Sequence, residues 1–196
     1  MRLHQGRIEM NKKKILIVGA GGIGSFLIPL LDKVSLYNVT VADPDKVEAK
    51  NLTYQNFKKK EIDMNKAGVM DWNYPSVKQH IPYPILTDNQ IKGFDLVVCC
   101  ADNLDVRRLL YRSGVKWLDL RAQGRNCAFV TSMADPKMYD TLLAGPEGSF
   151  SCQGDSWDGS NQNVHFMQVV AAGMGAQWIQ RFFAGDDVGD FKVVNV

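Results

Sequence analysis

A chain of 196 residues is short enough for one domain, because a single hydrophobic core usually stops growing near about 250 residues. With 45% hydrophobic and 22% charged residues, the chain, residues 1–196, is predicted to form one globular domain and not a disordered segment. A net charge of +2 without a clustered basic face does not predict nucleic acid or an anionic membrane as the main partner.

The first predicted elements are a strand, a glycine-rich turn, a helix and a second strand. Residues 15–18 form a short β-branched run, residues 23–31 carry apolar side chains at helical spacing, and residues 39–42 are extended again. Between the first strand and the helix lies Gly-Ala-Gly-Gly-Ile-Gly, residues 19–24. Together these segments predict a βαβ unit with a right-handed crossover.

Weaker elements follow the second strand. Residues 63–72 predict a short helix, and residues 77–85 are extended. Because two prolines interrupt the extended segment, it is predicted to be an edge strand or a loop.

A strand buried on both faces is the clearest element in the middle of the chain. Residues 96–100 are continuously apolar, which is typical of a strand inside a parallel sheet. The run stops at Ala-Asp-Asn, and residues 104–111 predict the next helix, capped by Asp102 or Asn103.

The C-terminal half predicts two strands, a long helix and a last strand. The two strands cover residues 115–120 and 127–132 and are joined by a polar connection. Residues 164–183 predict a long apolar helix whose glycines and alanines permit close packing on the sheet, and residues 191–196 add a strand. The predicted fold is therefore a Rossmann-like, doubly wound α/β fold with a mostly parallel sheet and helices on both faces.

A segment rich in Gly, Ser, Asn and Asp, residues 145–163, predicts a long surface loop that is either mobile or functional. It contains Cys152, whereas Cys99 and Cys100 lie in the buried strand and Cys127 at a strand start. The four cysteines include no C-x-x-C pair, so the sequence predicts neither a disulfide framework nor a structural zinc site.

The sequence predicts neither a membrane segment nor an export signal. No window approaches about 18 consecutive apolar residues, and the N-terminal residues are not followed by the apolar core of a signal peptide. We therefore expect a cytoplasmic protein without a membrane partner.

The glycine-rich turn predicts a nucleotide phosphate site. Gly19, Gly21 and Gly24 allow a tight turn, a close backbone approach to phosphate and close packing of helix on strand. The helix N-terminus then offers N–H groups and a partial positive charge, and Asp43 ends the second strand where a carboxylate can accept from ribose hydroxyls. These features favour a nucleotide site over a purely structural turn, but they do not separate NAD from ATP.

Four stretches in chain order carry a resemblance to a known family. They read GAGGIG, DPDKVEAKNLTYQ, NKAG and VVCCADN. Their order resembles the ThiF/MoeB/HesA superfamily of adenylating enzymes related to ubiquitin-activating enzymes. That family carries a glycine turn, a D-x-D-x-V segment leading to S-N-L-x-R-Q, a lysine further on, and a strand ending in T-D-N. The resemblance covers residues 13–132, and residues 164–183 more loosely.

The resemblance implies a site for ATP and Mg²⁺. Asp43 would hold the ribose and Asp102 the metal, while Asn51, Gln55 and Lys66 would face the triphosphate. A lysine, amides and a metal suit the charge that builds up when a carboxylate attacks the α-phosphate. The full set implied to bind the nucleotide comprises Gly19, Gly21, Gly22, Gly24, Asp43, Asp45, Asn51, Gln55, Lys66, Asp102 and Asn103.

The implied activity is ATP-dependent adenylation of the C-terminal carboxylate of a small ubiquitin-like or sulfur-carrier protein ending in Gly-Gly. The resemblance also implies a homodimer. Two alternatives stay open. An NAD-dependent oxidoreductase explains the glycine turn and Asp43 but leaves Asn51, Lys66 and Asp102 without a role. The other is a non-catalytic subunit that retains the fold.

One position departs from the family pattern. The family arginine in N-L-x-R-Q falls on Tyr54, and a phenol does not replace a guanidinium on phosphate. We expect the missing charge from Lys58, Lys59, Arg121 or Arg125; otherwise the chain binds nucleotide without efficient adenylation.

Cys152 is a candidate covalent residue, with Lys66 and Asp102 as the other implied catalytic residues. The superfamily often uses a cysteine to accept the acyl group or to form a persulfide, and an exposed loop would leave Cys152 open to reaction. Its neighbours Asp155 and Asp158, without a nearby Lys or Arg, do not favour a thiolate. A bystander role for this cysteine stays open.

Overall fold

The computed structural model describes residues 12–143, residue 153 and residues 163–196, and this part of the chain is built on a seven-stranded sheet. The strands are β1 (Lys13–Val18), β2 (Tyr37–Ala42), β3 (Val77–Ile81), β4 (Leu96–Cys99), β5 (Trp117–Gln123), β6 (Asn126–Thr131) and β7 (Phe191–Asn195). The helices are α1 (Gly24–Val34), α2 (Lys66–Asn73), α3 (Asp88–Ile91), α4 (Leu104–Arg112), α5 (Lys137–Leu143) and α6 (Met167–Ala184), with short 3₁₀ helices at Ala49–Thr53 and Lys59–Glu61.

The strand order across the sheet is β3-β2-β1-β4-β5-β6-β7. The first five strands pair in parallel, β6 pairs antiparallel with β5, and β7 pairs antiparallel with β6 at one side of the sheet. The winding reverses direction at β1, which lies between β2 and β4. In such sheets, ligands bind outside the carboxyl ends of the strands where the winding reverses. The predicted doubly wound fold is confirmed, and it places the glycine turn after β1 at this reversal point.

Side chains of the central strands alternate between two cores. On β1, Ile15 and Ile17 face a core shared with α1, α2 and α6, whereas Leu16 and Val18 face a core shared with α3 and α4. Burial on both faces is typical of the inner strands of a parallel sheet. Helices therefore cover both faces, as the sequence predicts.

Strand β5 extends further than the sequence predicts. It runs to Gln123 and pairs antiparallel with β6, so residues 121–126 form a hairpin and not a polar connection. Gly124 closes the tight turn with φ +55°, a conformation that favours glycine. The strand pairing keeps the polar residues Arg121 and Gln123 in extended backbone, and Arg121 thereby lies on the sheet.

Several helix boundaries also differ from the predictions. Helix α2 begins at Lys66 and not at residue 63, because the Asn65 side chain caps it by accepting from the Gly68 N–H at 2.9 Å. Helices α3 and α5 are not predicted. None of the helices in the described ranges combines the length and apolar character needed to cross a membrane.

Most of the segment 145–163, including Cys152, lies outside the described residues. Gln153 is described and is fully buried. Its Oε1 accepts from the His165 backbone N–H at 2.7 Å, and its Nε2 donates to the His165 carbonyl at 3.0 Å. Gln153 is thus bonded to the backbone that precedes α6, and the surface loop at residues 145–163 stays a prediction.

Close packing of α6 on the sheet depends on one of its glycines. A Cβ built on Gly175 would lie 2.6 Å from Leu120 Cδ1 on β5. Among the described residues, no atom lies within 4 Å of a Cβ built on Gly173, which is exposed. The predicted close approach therefore holds at Gly175 and is wrong at Gly173.

These two glycines give a matched pair of stability predictions. Gly173→Ala should raise the free energy of unfolding by about 0.5–1 kcal/mol, because alanine is the better helix former and meets no atom. Gly175→Ala should lower it by about 1 kcal/mol, because displacing the buried Leu120 outweighs the same gain in helix propensity. Urea unfolding of both variants checks the pair, and equal midpoints would contradict the packing role of Gly175.

Candidate functional site

A cavity of about 560 Å³ opens at the carboxyl ends of β1, β2, β4 and β5. This volume lies in the range of roughly 300–1,000 Å³ that is usual for small-molecule sites. The cavity wall includes ten of the residues predicted to bind a nucleotide: Gly19, Gly21, Gly22, Asp43, Asp45, Asn51, Gln55, Lys66, Asp102 and Asn103. The fold thus brings the glycine turn, residues between 43 and 66, and residues 102 and 103 together on one cavity wall. Their roles toward a nucleotide stay predictions.

The glycines of the turn between β1 and α1 have different tasks. Gly19 takes φ +95°, and a Cβ there would lie 2.7 Å from the Ala101 nitrogen. A Cβ on Gly24 would overlap the Gly19 carbonyl oxygen. A Cβ on Gly21 would meet only Gln55 Nε2, at an ordinary 3.7 Å, on the wall of the cavity. Gly19 therefore allows the turn to pack against the residue after β4, and Gly24 allows the first turn of α1 to pack against Gly19. Gly21, which has no side chain, leaves space in the cavity for a ligand.

The Asp43 carboxylate ties the end of β2 to the glycine turn. Its Oδ2 accepts from the Ala20 N–H at 2.7 Å, and its Oδ1 accepts from the Asp45 N–H at 2.8 Å. Burial raises the pKa of Asp43, while the two backbone N–H groups and the nearby Lys66 ammonium partly offset that rise. Each carboxylate oxygen has more than one lone pair, so Asp43 can still accept from a sugar hydroxyl.

Lys66 places an ammonium at the cavity wall. It is the first residue of α2, and the Asn65 side chain anchors that helix by donating to the backbone carbonyls of Asp43 and Asp45 at 2.9 and 3.1 Å. The Lys66 side chain is 7% exposed, and its Nζ lies 3.2 Å from Asp45 Oδ2, whose side chain is 66% exposed. A buried ammonium beside a solvated carboxylate is well placed to exchange that partner for a phosphate.

The 3₁₀ helix at residues 49–53 and the residue that follows it position two further polar side chains. Asn51 Oδ1 accepts from the Glu48 N–H at 2.9 Å, and Asn51 Nδ2 donates to the Tyr54 hydroxyl at 3.2 Å. The Tyr54 carbonyl accepts from Nε2 of the buried Gln168 at 3.1 Å. Asn51 therefore shapes this segment as well as lining the cavity, and the neutral Tyr54 is held where the family has an arginine.

Gln55 gives the clearest sign of a polar ligand. Its side-chain oxygen is buried and has no hydrogen-bond partner among the described residues. Its amide nitrogen lies 3.7 Å from the position that a Cβ built on Gly21 would take. A buried polar atom without a partner costs free energy that a bound ligand can recover. The buried Oε1 is an acceptor and matches a donor on a ligand, such as a sugar hydroxyl, whereas Nε2 beside the glycine turn can donate to phosphate oxygens.

Asp102 and Asn103 follow β4 and have separate roles. Asn103 caps α4, because its Oδ1 accepts from the Asp105 N–H at 2.7 Å. Asp102 is exposed on the cavity wall. Within the described ranges, no three His, Cys, Asp or Glu side chains gather as a metal site. Asp102 alone still fits Mg²⁺, which is usually held by one or two carboxylates together with phosphate oxygens and water.

The cations on the cavity wall differ in part from those predicted. Arg121 lines the cavity, as do Lys50, Lys66 and Arg107, whereas Lys58, Lys59 and Arg125 lie elsewhere. Sequence reasoning missed Arg107, although a signal was present. Arg107 lies four residues after the helix cap Asn103, so helical periodicity places both on the same face of α4.

The described cysteines are poor nucleophiles. Burial raises the pKa of Cys99 to about 12 and also raises the pKa values of Cys100, on the cavity wall, and Cys127. Because the thiolate is the reactive form, these three side chains act as small apolar groups at neutral pH.

Comparison with curated proteins gives a consistent set of relatives. Residues 4–191 match the ThiF family. The chain is 29% identical over 116 residues to adenylyltransferase and sulfurtransferase UBA4 of Candida albicans, covering 54% of this chain and 26% of that protein. It is 35% identical over 109 residues to SUMO-activating enzyme subunit 2 of Dictyostelium discoideum (50% and 16%). It is 30% identical over 120 residues to a probable molybdopterin-synthase adenylyltransferase of Gracilaria tenuistipitata (55% and 33%).

Solved structures share the fold over almost the whole chain. E. coli MccB with ATP superposes with a TM-score of 0.64 at 17% identity, covering 93% of this chain and 63% of that one. PaaA superposes with a TM-score of 0.66 at 12% identity, covering 94% and 61%. The chain thus spans about a quarter of the length of the UBA4 relative and about three fifths of these structures.

Proposed function

The chain belongs to the ThiF family, and on that premise we propose that it uses ATP and Mg²⁺ to adenylate the C-terminal carboxylate of a small ubiquitin-like or sulfur-carrier protein. The named relatives support this reaction, since they include adenylyltransferases and a SUMO-activating subunit, and MccB has been solved with ATP. The observation that carries the proposal is the buried ammonium of Lys66 on the same cavity wall as the glycine turn and Asp102.

In the proposed step, an oxygen of the acceptor carboxylate attacks the α-phosphorus. A carboxyl C–O–P linkage forms, the bond between the α-phosphorus and the bridging oxygen breaks, and pyrophosphate leaves with the bonding electrons. Lys66 and the Gln55 amide would bind the charge that grows on the phosphate oxygens. Mg²⁺ held by Asp102 would neutralise phosphate charge. Asp43 would fix the ribose and so the position of the α-phosphate.

The NAD-dependent alternative has weaker support. A dehydrogenase would use the glycine turn and Asp43 to bind NAD. Lys66 and Asp102, which both line the cavity, would then have no role in binding or catalysis. We therefore favour ATP as the nucleotide.

ATP–pyrophosphate exchange tests the proposal. Purified protein with Mg²⁺ and a panel of carrier proteins ending in Gly-Gly should exchange pyrophosphate only when a carrier is present. Asp102→Ala should lower the exchange rate by about 100-fold or more, because the metal loses its protein ligand. Asp105→Ala is the matched control. The Asp105 carboxylate lies in the first turn of α4, pairs with Arg108 and lies off the cavity wall, so this variant should keep exchange within about threefold of wild type.

Two other outcomes would redirect the assignment. ATP binding by calorimetry without exchange for any carrier would favour a non-catalytic subunit, as the neutral Tyr54 would allow. Binding of NAD in place of ATP would favour an oxidoreductase.

Three further parts of the proposal follow from the family. We expect a homodimer, which light scattering after size exclusion would detect, and we expect the reaction to take place in the cytoplasm. Transfer of the acyl group to Cys152 also stays a prediction, since that residue lies outside the described part of the chain.

A further inference from the structure

A buried ionic cluster lies beside Asp102 at the carboxyl end of β5. Asp119 is fully buried; its Oδ1 accepts from Arg107 Nε at 3.2 Å, and its Oδ2 accepts from Arg121 Nε at 2.9 Å. The Tyr111 hydroxyl donates to Asp119 Oδ2 at 2.8 Å and accepts from an Arg121 terminal nitrogen at 2.7 Å. Burial and the charge of Asp119 raise the pKa of Tyr111, so its hydroxyl stays a donor.

The cluster brings two guanidinium groups to the cavity wall. Among the described residues, the Asp119 carboxylate accepts from both guanidinium groups, and arginine stays protonated in proteins. Both Arg107 and Arg121 line the cavity, whereas Asp119 lies behind them. Their side chains are only 10% and 22% exposed, so solvent screens this charge little. Two guanidinium groups that solvent screens little suit an anionic ligand in the cavity.

The strand order shows where the arginine pair lies relative to the predicted nucleotide residues. Along the carboxyl edge of the sheet, the order β2-β1-β4-β5 places Asp43 first, then the glycine turn, then Asp102, and the arginine pair one strand further. If the ribose lies at Asp43 and the phosphates lie at the turn and Asp102, the arginines lie on the side of the phosphates away from the ribose. An acceptor chain that reaches the α-phosphate from that side brings its carboxylate past them.

We propose that Arg107 and Arg121 bind the C-terminal carboxylate of the acceptor and present it to the α-phosphorus. This inference rests on the proposed function. A guanidinium matches a carboxylate through parallel N–H donors, which gives orientation as well as affinity. Asp119 and Tyr111 are positioning residues, because their bonds to Arg121 fix the plane of its guanidinium.

Peptide titrations with a blocked nucleotide test this role. The protein is saturated with Mg²⁺ and an ATP analogue that has a methylene between the α- and β-phosphorus, and two short synthetic peptides ending in Gly-Gly are titrated by calorimetry. The peptides differ only in a C-terminal carboxylate or amide. Wild type should bind the carboxylate form about tenfold more tightly or better. In Arg121→Gln that preference should fall to within about twofold, while affinity for the analogue changes by less than about threefold.

Control variants separate binding from folding. Arg108→Gln removes an arginine that pairs with Asp105 on the same helix and lies off the cavity wall, and it should retain the full preference. Tyr111→Phe keeps the guanidinium groups of Arg107 and Arg121 and removes the hydrogen bond between the Tyr111 hydroxyl and Arg121. It should therefore reduce the preference for the carboxylate peptide less than Arg121→Gln does. Asp119→Asn would leave an uncompensated buried charge and is therefore a poorer test.

The outcomes separate this inference from the proposed function. A wild-type protein that binds the analogue but shows no preference for the carboxylate, or binds neither peptide at millimolar concentration, overturns the inference alone. A loss of analogue affinity in Arg121→Gln with the preference intact would assign Arg121 to the phosphates and also overturn it. Failure of wild type to bind the analogue would overturn the proposed function. The same peptides titrated without nucleotide then decide the inference by the same comparison.

Discussion

Gly24→Ala is expected to lower the free energy of unfolding by about 3 kcal/mol and to abolish ATP binding. The added Cβ would overlap the Gly19 carbonyl oxygen and lie 3.0 Å from the Gly19 carbonyl carbon. These are backbone atoms, so no side-chain rotation can relieve the overlap. Gly19 in turn packs against the Ala101 nitrogen after β4, and any shift of the turn would spread to that strand end.

Gly21→Ala is the matched control in the same turn. Its Cβ would meet only Gln55 Nε2 at 3.7 Å, so stability should stay within about 0.5 kcal/mol of wild type. The methyl group would still take space on the cavity wall, and ATP affinity should fall. Urea unfolding and calorimetry with ATP and Mg²⁺ measure both effects. A wild-type unfolding midpoint for Gly24→Ala would show that the turn relaxes without cost and would contradict the role assigned to it.

Apolar runs in the sequence predict which segments form the inner strands, but they do not predict where β5 ends. Residues 15–18 and 96–100 are continuously apolar because both faces of their strands are buried, and that pattern identifies β1 and β4. Arg121 and Gln123 continue β5 although they are polar, because the backbone pairs with β6 and Asp119 holds the Arg121 guanidinium. Such pairing depends on partners that a local pattern does not contain.

Some residues of the candidate site could be predicted from the sequence, and others could not. Asp43, Lys66 and Asp102 follow from the resemblance, and the structure places all three on one cavity wall. The pairing of Arg107 with Asp119 joins a helix to a strand and depends on burial, since a buried charge is stable only beside an opposite one. A single sequence reports neither burial nor the partner, so this pair was missed.

Lys66→Met is expected to cause the largest loss of activity without a matching loss of stability. The substitution keeps an apolar stem and removes the ammonium that would face the α-phosphate, and exchange should fall by about 100- to 1,000-fold. The partner carboxylate, Asp45, is 66% exposed and stays solvated when the lysine is gone. The lost ion pair should therefore cost less than about 1 kcal/mol of unfolding free energy.

Lys50→Met gives the comparison that makes this prediction specific. Lys50 also lines the cavity, but its side chain is 56% exposed and its Nζ pairs with Glu48 at 2.9 Å, so water already screens its charge. Exchange by Lys50→Met should stay within about threefold of wild type. Pyrophosphate exchange at saturating ATP and urea unfolding, run on both variants, separate catalysis from folding. If the two variants exchanged pyrophosphate equally well, the buried Lys66 ammonium would have only a structural role. The positive charge that stabilises the transition state would then have to come from Arg107 and Arg121 on the same cavity wall.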